Sequence, residues 1–156
     1  MLRDDEFSPL IYGCNHACHV TYVTYKKEYR LNKFLLVGAG GFAGAIVRYW
    51  LGTYIQELSK GAAFPYATLL INVTGCLVIG YLAHLALHNI LGLELRLLLI
   101  TGFLGAYTTF STFGNETLLL MQNQRSLLAY TYMAASLVLG LGAVWLGQLL
   151  AGSAGK

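Results

Sequence analysis

Charge is scarce in this chain. Aspartate, glutamate, lysine and arginine make up 11% of its 156 residues, whereas hydrophobic residues make up 56% and the mean hydropathy is +0.58. That balance excludes an ordinary soluble domain and, at a length fit for one domain, places the chain in a bilayer. The net charge of +3 is small, and the basic residues neither cluster nor alternate with exposed aromatics, so no nucleic acid is expected as a partner. Cysteine is also sparse. Cys14, Cys18 and Cys76 leave an odd count, and Cys76 lies inside an apolar run, which excludes a disulfide framework. No nucleophile stands beside a partnered base and no soluble domain remains to house one, so no enzymatic activity is read. At membrane depth the acidic residue is Glu116 alone, which speaks against a proton relay.

The first 33 residues are acidic near the start and hold no compact apolar core before Phe34, unlike a cleaved secretory signal. Within them CNHACH gathers Cys14, His16, Cys18 and His19. Such a group can hold a soft metal, but C-x3-C spacing without a second half is incomplete, and a solvated tail is the plainer reading.

Beyond the tail, apolar runs of about 20 residues predict four membrane spans at 33–55, 65–89, 93–122 and 126–151, joined by short connections. The third is too long. Thirty residues at 1.5 Å each would make a rod of about 45 Å against a hydrocarbon core of about 30 Å. Tilt absorbs part of the excess and an internal break the rest. The run 107–112, YTTFST, is where β-branched and hydroxyl side chains make a break least costly, because they compete for the helix's own backbone bonds. Unwound backbone at membrane depth frees carbonyl groups that must meet protein, water or an ion, so a cation site is suspected there. The alternative is a continuous tilted helix whose hydroxyls bond back to their own carbonyls.

Small residues at Gly40 and Gly44, Ser136 and Gly140, and Ala143 and Gly147 mark faces of close helix approach. Among the polar residues, Asn72 sits near the middle of the second span with Thr68 and Gly75 on its face, and its amide needs partners. An interhelical hydrogen bond worth about 1 kcal/mol is the modest reading. Phe110 and Phe113 are three apart and share a face. Their rings have positive edges that can meet a small anion, and with the Asn72 amide and nearby hydroxyls they would suit an anion that accepts hydrogen bonds strongly. Tyr132 and Ser136, four apart, add two hydroxyls on one face. Arg48 either snorkels to the interface or holds a polar network. Glu116 is placed to bond hydroxyls, guard a pore mouth or carry a proton.

Three ordered motifs, GGFAGAIVRYW at 40–50, TLLINVTG at 68–75 and GFLGAYTTFSTFGNE at 102–116, make the chain similar to the CrcB/Fluc family of small fluoride channels over residues 32–147. The resemblance implies an all-α membrane protein of four transmembrane helices, the third broken at its centre, assembled as an antiparallel dual-topology homodimer in the cell membrane. It implies a passive channel exporting fluoride from the cytoplasm. It further implies a fluoride pathway of Asn72, Phe110, Phe113, Thr112, Tyr132 and Ser136, and a structural sodium ion held by the backbone carbonyls of Gly105 and Thr108. Glu116 matches a carboxylate near a pore mouth and Arg48 the arginine closing the first motif. The chain departs from the family in residues 1–31, expected as a poorly ordered extension ahead of a channel domain at 32–152 and a tail at 153–156. It departs again at Ala106, where a second glycine is common.

That extension bears on topology. With four spans, Arg3, Lys26, Lys27, Arg30, Lys33, Arg96 and Lys156 share one side against Lys60 and Arg125 on the other, a bias that would orient every chain alike. Without residues 1–30 only Lys33, Arg96 and Lys156 oppose those two. The extension is therefore expected to be absent from the working protein or overridden during insertion. Two rivals remain at this stage. A four-helix drug/proton antiporter of the small multidrug resistance type needs a first-helix carboxylate, and 33–55 has none. The other rival is a membrane scaffold that transports nothing.

Overall fold

The computed structural model describes the backbone of residues 16–154 and the side chains of residues 31–153. Every regular element among these is helical: α1 (His16–Leu58), α2 (Tyr66–Leu87), then α3 (Leu93–Leu95), a π-helix (Arg96–Leu104) and α4 (Gly105–Tyr107), followed by α5 (Phe110–Gln122) and α6 (Ser126–Ala154). Four stretches are long and apolar enough to cross a membrane: Leu31–Leu58, Tyr66–Leu87, Leu93–Gln122 and Ser126–Ser153. They match the four expected spans to within a few residues at each end. The chain divides into two units after Phe34, and the site lies wholly in the second. The expected extension and the Cys14, His16, Cys18 and His19 side chains lie outside the described residues, save that the backbone is helical from His16.

Large apolar side chains such as Phe42, Trp50, Leu127 and Val138 are exposed on the outside of the bundle, where hydrocarbon is their solvent. Cohesion therefore comes from close backbone approach, which glycine permits. On α2 and α6, a methyl group added at Gly80 would overlap the Val144 carbonyl, and one at Gly147 the Leu77 carbonyl. On α1, methyl groups at Gly40 and Gly44 would overlap the carbonyls of Leu98 and Phe103. The widened coil of the π-helix is thus housed against a glycine face that has room for it. Its start is pinned by Arg96, whose Nε donates to Leu91 O at 2.8 Å and whose terminal nitrogen donates to Ala86 O, tying the end of α2 to the next turn.

The third span breaks at two residues. Thr108 (φ −88°, ψ 147°) and Thr109 (φ −139°, ψ 119°) are extended between α4 and α5, inside the run where hydroxyl and β-branched residues predicted it. Thr108 Oγ1 does bond back to Leu104 O at 3.0 Å, beside its own amide at 3.0 Å, yet the chain leaves the helix at that residue. The continuous helix is therefore set aside. Gly75 explains where the bend fits, since a Cβ there would overlap the Thr108 methyl group.

Candidate functional site

An extended residue inside a bundle presents a bare N–H and C=O, and both must be satisfied. Asn72 supplies the partners for Thr109. Its Oδ1 accepts from Thr109 N at 3.0 Å and its Nδ2 donates to Thr109 O at 3.2 Å, so one side chain on α2 does what a neighbouring strand would do. The interhelical bond expected of this amide is in fact a pair. An amide nitrogen carries two hydrogens, and Thr109 O takes one of them.

Around this clamp lies a cavity of about 380 Å³ lined by Asn72, Thr108, Thr109, Phe110, Phe113 and Ser136. The rings of Phe110 and Phe113 are 5.6 Å apart. Phe113 rests against Tyr132 at 5.1 Å, and Tyr132 meets Phe64 nearly edge-on at 5.5 Å. Phe110, by contrast, is 84% exposed, so none of the described residues covers its outer face. A second cavity of about 670 Å³ opens beside the α1–α2 connection and includes Arg48, Lys60, Thr68, Thr109, Thr112 and Glu116. Thr109 is common to both.

The sequence-selected residues thus divide. Asn72, Phe110, Phe113, Ser136 and Thr108 meet in the inner cavity, and Thr112, Glu116 and Arg48 in the outer one. Tyr132 lines neither. It is wholly buried, and its hydroxyl donates to Glu116 Oε2 at 2.8 Å while Thr68 donates to Oε1 at 2.8 Å. The Glu116 carboxylate is therefore held between α2 and α6 by two hydroxyl donors, one on each oxygen. Arg48 does not snorkel: its Nε donates to Ala106 O at 3.0 Å, across to the last turn before the break.

The break also decides which carbonyls are free. The final four carbonyls of a helix lack intrahelical donors, and the last bond here is Thr108 N to Leu104 O. Gly105 O would next take the Thr109 amide, but that amide is committed to Asn72, and Ala106 O is met by Arg48. Gly105 itself is exposed. Carbonyl oxygens of this kind are hard donors suited to an alkali cation, so the residues present fit such a group.

Sequence reasoning missed two features. One is Thr109, whose extended backbone receives the Asn72 clamp. The other is Tyr107, whose hydroxyl pairs with Thr74 Oγ1 at 2.9 Å just before the break. Both stood in the anomalous run, but their partners lie 37 and 33 residues away and no local pattern announces them.

Comparison with known proteins places the chain in a family. Residues 35–148 match the family model described as CrcB-like protein, Camphor Resistance (CrcB). The chain is 49% identical over 119 residues to the fluoride-specific ion channel FluC of Acidobacterium capsulatum, covering 76% of this chain and 94% of that one. It is 47% identical over 119 residues to FluC 1 of Moorella thermoacetica, covering 76% and 84%, and 41% identical over 121 residues to FluC of Rhizobium meliloti, covering 77% and 96%. The matched residues hold the second span and the broken third span whole and most of the first and last, and the chain belongs to the CrcB family.

Proposed function

We propose that this chain is a fluoride-selective passive channel of the cell membrane that exports fluoride from the cytoplasm and relieves its toxicity. The observation that carries the reading is the inner cavity, where an amide, a serine hydroxyl and two phenylalanine rings converge on an interrupted span. Fluoride accepts hydrogen bonds strongly and is costly to dehydrate. Amide and hydroxyl donors replace its water in stages, and positive ring edges meet it without the deep trap a full cation would set. Ser136 and the second Asn72 hydrogen serve as donors in the inner cavity, and Thr112 in the outer one. Tyr132 holds Glu116 and props Phe113 from behind. Membership in the CrcB family leaves the drug/proton antiporter without support, and 33–55 carries no carboxylate for it.

The pathway needs a second wall. Phe110 is exposed in the single chain, and an antiparallel partner would cover it while giving two pathways per dimer. The carbonyls of Gly105 and Thr108 would hold a structural sodium ion, whose positive charge offsets the cost of bringing anions into a low dielectric. Reconstituted vesicles read with a fluoride electrode, with chloride as control, test the function. Efflux is expected from the wild type and none from Asn72→Ala or Phe110→Ala eluting at the wild-type size. Unchanged flux in both variants would defeat the assignment.

A further inference from the structure

Away from the pathway, the far end of α2 carries two histidines that the channel reading leaves unused. His84 lies in the last turn and His88 is the C-cap, four apart and so on one face. Their rings stand 4.4 Å apart. A divalent ion bound by two imidazoles at about 2.0–2.1 Å needs their nitrogens about 3.3 Å apart in tetrahedral geometry, which adjacent rings reach by small χ rotations. The surroundings favour it further. His84 is half-buried against Gly152 of α6, where the point a Cβ would occupy is 3.5 Å from Cε1 and 3.7 Å from Nε2, so the ring lies within contact distance of that helix. His84 lines a cavity of about 540 Å³ together with Gln148, Ser153 and Trp145, which offers an amide and a hydroxyl oxygen besides water. The carbonyl end of α2 also favours a cation.

We propose that His84 and His88 form a site for a late first-row divalent metal ion, Cu²⁺, Ni²⁺ or Zn²⁺, with imidazole nitrogens as the two protein anchors and water, Gln148 or Ser153 completing the shell. Imidazole suits these ions, and Cu²⁺ binds tightest among them. The site stands apart from the carbonyls at the break, which are hard oxygen donors.

The test uses the full chain with Cys14→Ser, His16→Ala, Cys18→Ser and His19→Ala, so that the tail cannot contribute. Calorimetric titration with each metal chloride is expected to give one ion per chain. Either His84→Ala or His88→Ala should weaken binding at least tenfold, since loss of an outer-shell partner alone costs about 10–100-fold. With Trp50→Phe added, Cu²⁺ should quench the fluorescence of Trp145, and His84→Ala should abolish the quenching. His88 is exposed, so His88→Ala should fold as the parent does. Undiminished binding in that variant would overturn the proposal, as would the absence of saturable binding in the parent chain.

Discussion

At the scale of single residues, the geometry turns on two side chains that each hold something from both ends. Asn72 gives Thr109 a donor and an acceptor, so Asn72→Ala would leave both backbone groups bare at a cost of about 1–3 kcal/mol for each unsatisfied group. Asn72→Asp keeps the acceptor but loses the donor and sets an unpaired carboxylate against the Thr109 carbonyl. Thermal unfolding in detergent is expected to rank wild type above both variants, and fluoride flux is expected to fail in both. Glu116 presents the complementary case, one acceptor with two donors. Tyr132→Phe keeps the ring that packs on Phe113 and Phe64 and removes one hydrogen bond to a carboxylate, about 1.5–3 kcal/mol. Thr68→Val removes the other. Because both converge on Glu116, the two losses should couple by more than about 0.5 kcal/mol in a double-mutant cycle; additivity would mean the carboxylate is not shared. The needs of these residues were legible in the sequence, since an amide or carboxylate at membrane depth must be satisfied. Their partners were not, because 37 residues separate Asn72 from Thr109 and 48 separate Thr68 from Glu116.

Among the elements, the third span is the one that departs from regularity, and its two departures differ in how far the sequence shows them. Its break was legible: excess length and the YTTFST run pointed to 107–112, and the extended residues are Thr108 and Thr109. The π-helix was not, because RLLLITGFL has no composition that separates a wide coil from an ordinary one. What marks it is the neighbour, a glycine face on α1 too close for any Cβ. Gly44→Ala should therefore destabilise by about 1–3 kcal/mol, the usual cost of overpacking, whereas Gly38→Ala, which meets nothing within 4 Å, should be neutral; equal melting temperatures for the two would contradict this packing. Gly75→Ala strikes the Thr108 methyl group and is expected to impair flux more than stability, since it displaces the bend itself. Sodium enters at this scale too. If the carbonyls of Gly105 and Thr108 hold the ion, exhaustive exchange into N-methylglucamine should abolish fluoride flux and readmission of sodium should restore it. Flux indifferent to the exchange would remove sodium from the account.

For the whole molecule, the open question is how chains are oriented, and there the sequence speaks against itself. The excess of basic residues in 1–30 argues for one orientation, and the near balance without them for two. Removal of residues 1–30 is expected to give evenly distributed topology reporters and intact fluoride flux, and a full chain that conducts is expected either to have lost residues 1–30 or to show the same even distribution; a full chain that inserts in a single orientation and still conducts would refute the antiparallel pair. The two cavities that meet at Thr109 carry a last consequence. When water joins each of them to its own side of the bilayer, the transmembrane voltage no longer falls over the full thickness but is concentrated on the stretch between them, at that peptide. The roughly 2.3 kcal/mol per charge that 100 mV provides is then delivered almost entirely at the step past Asn72, and the electrical distance a permeating ion senses is far shorter than the protein is tall.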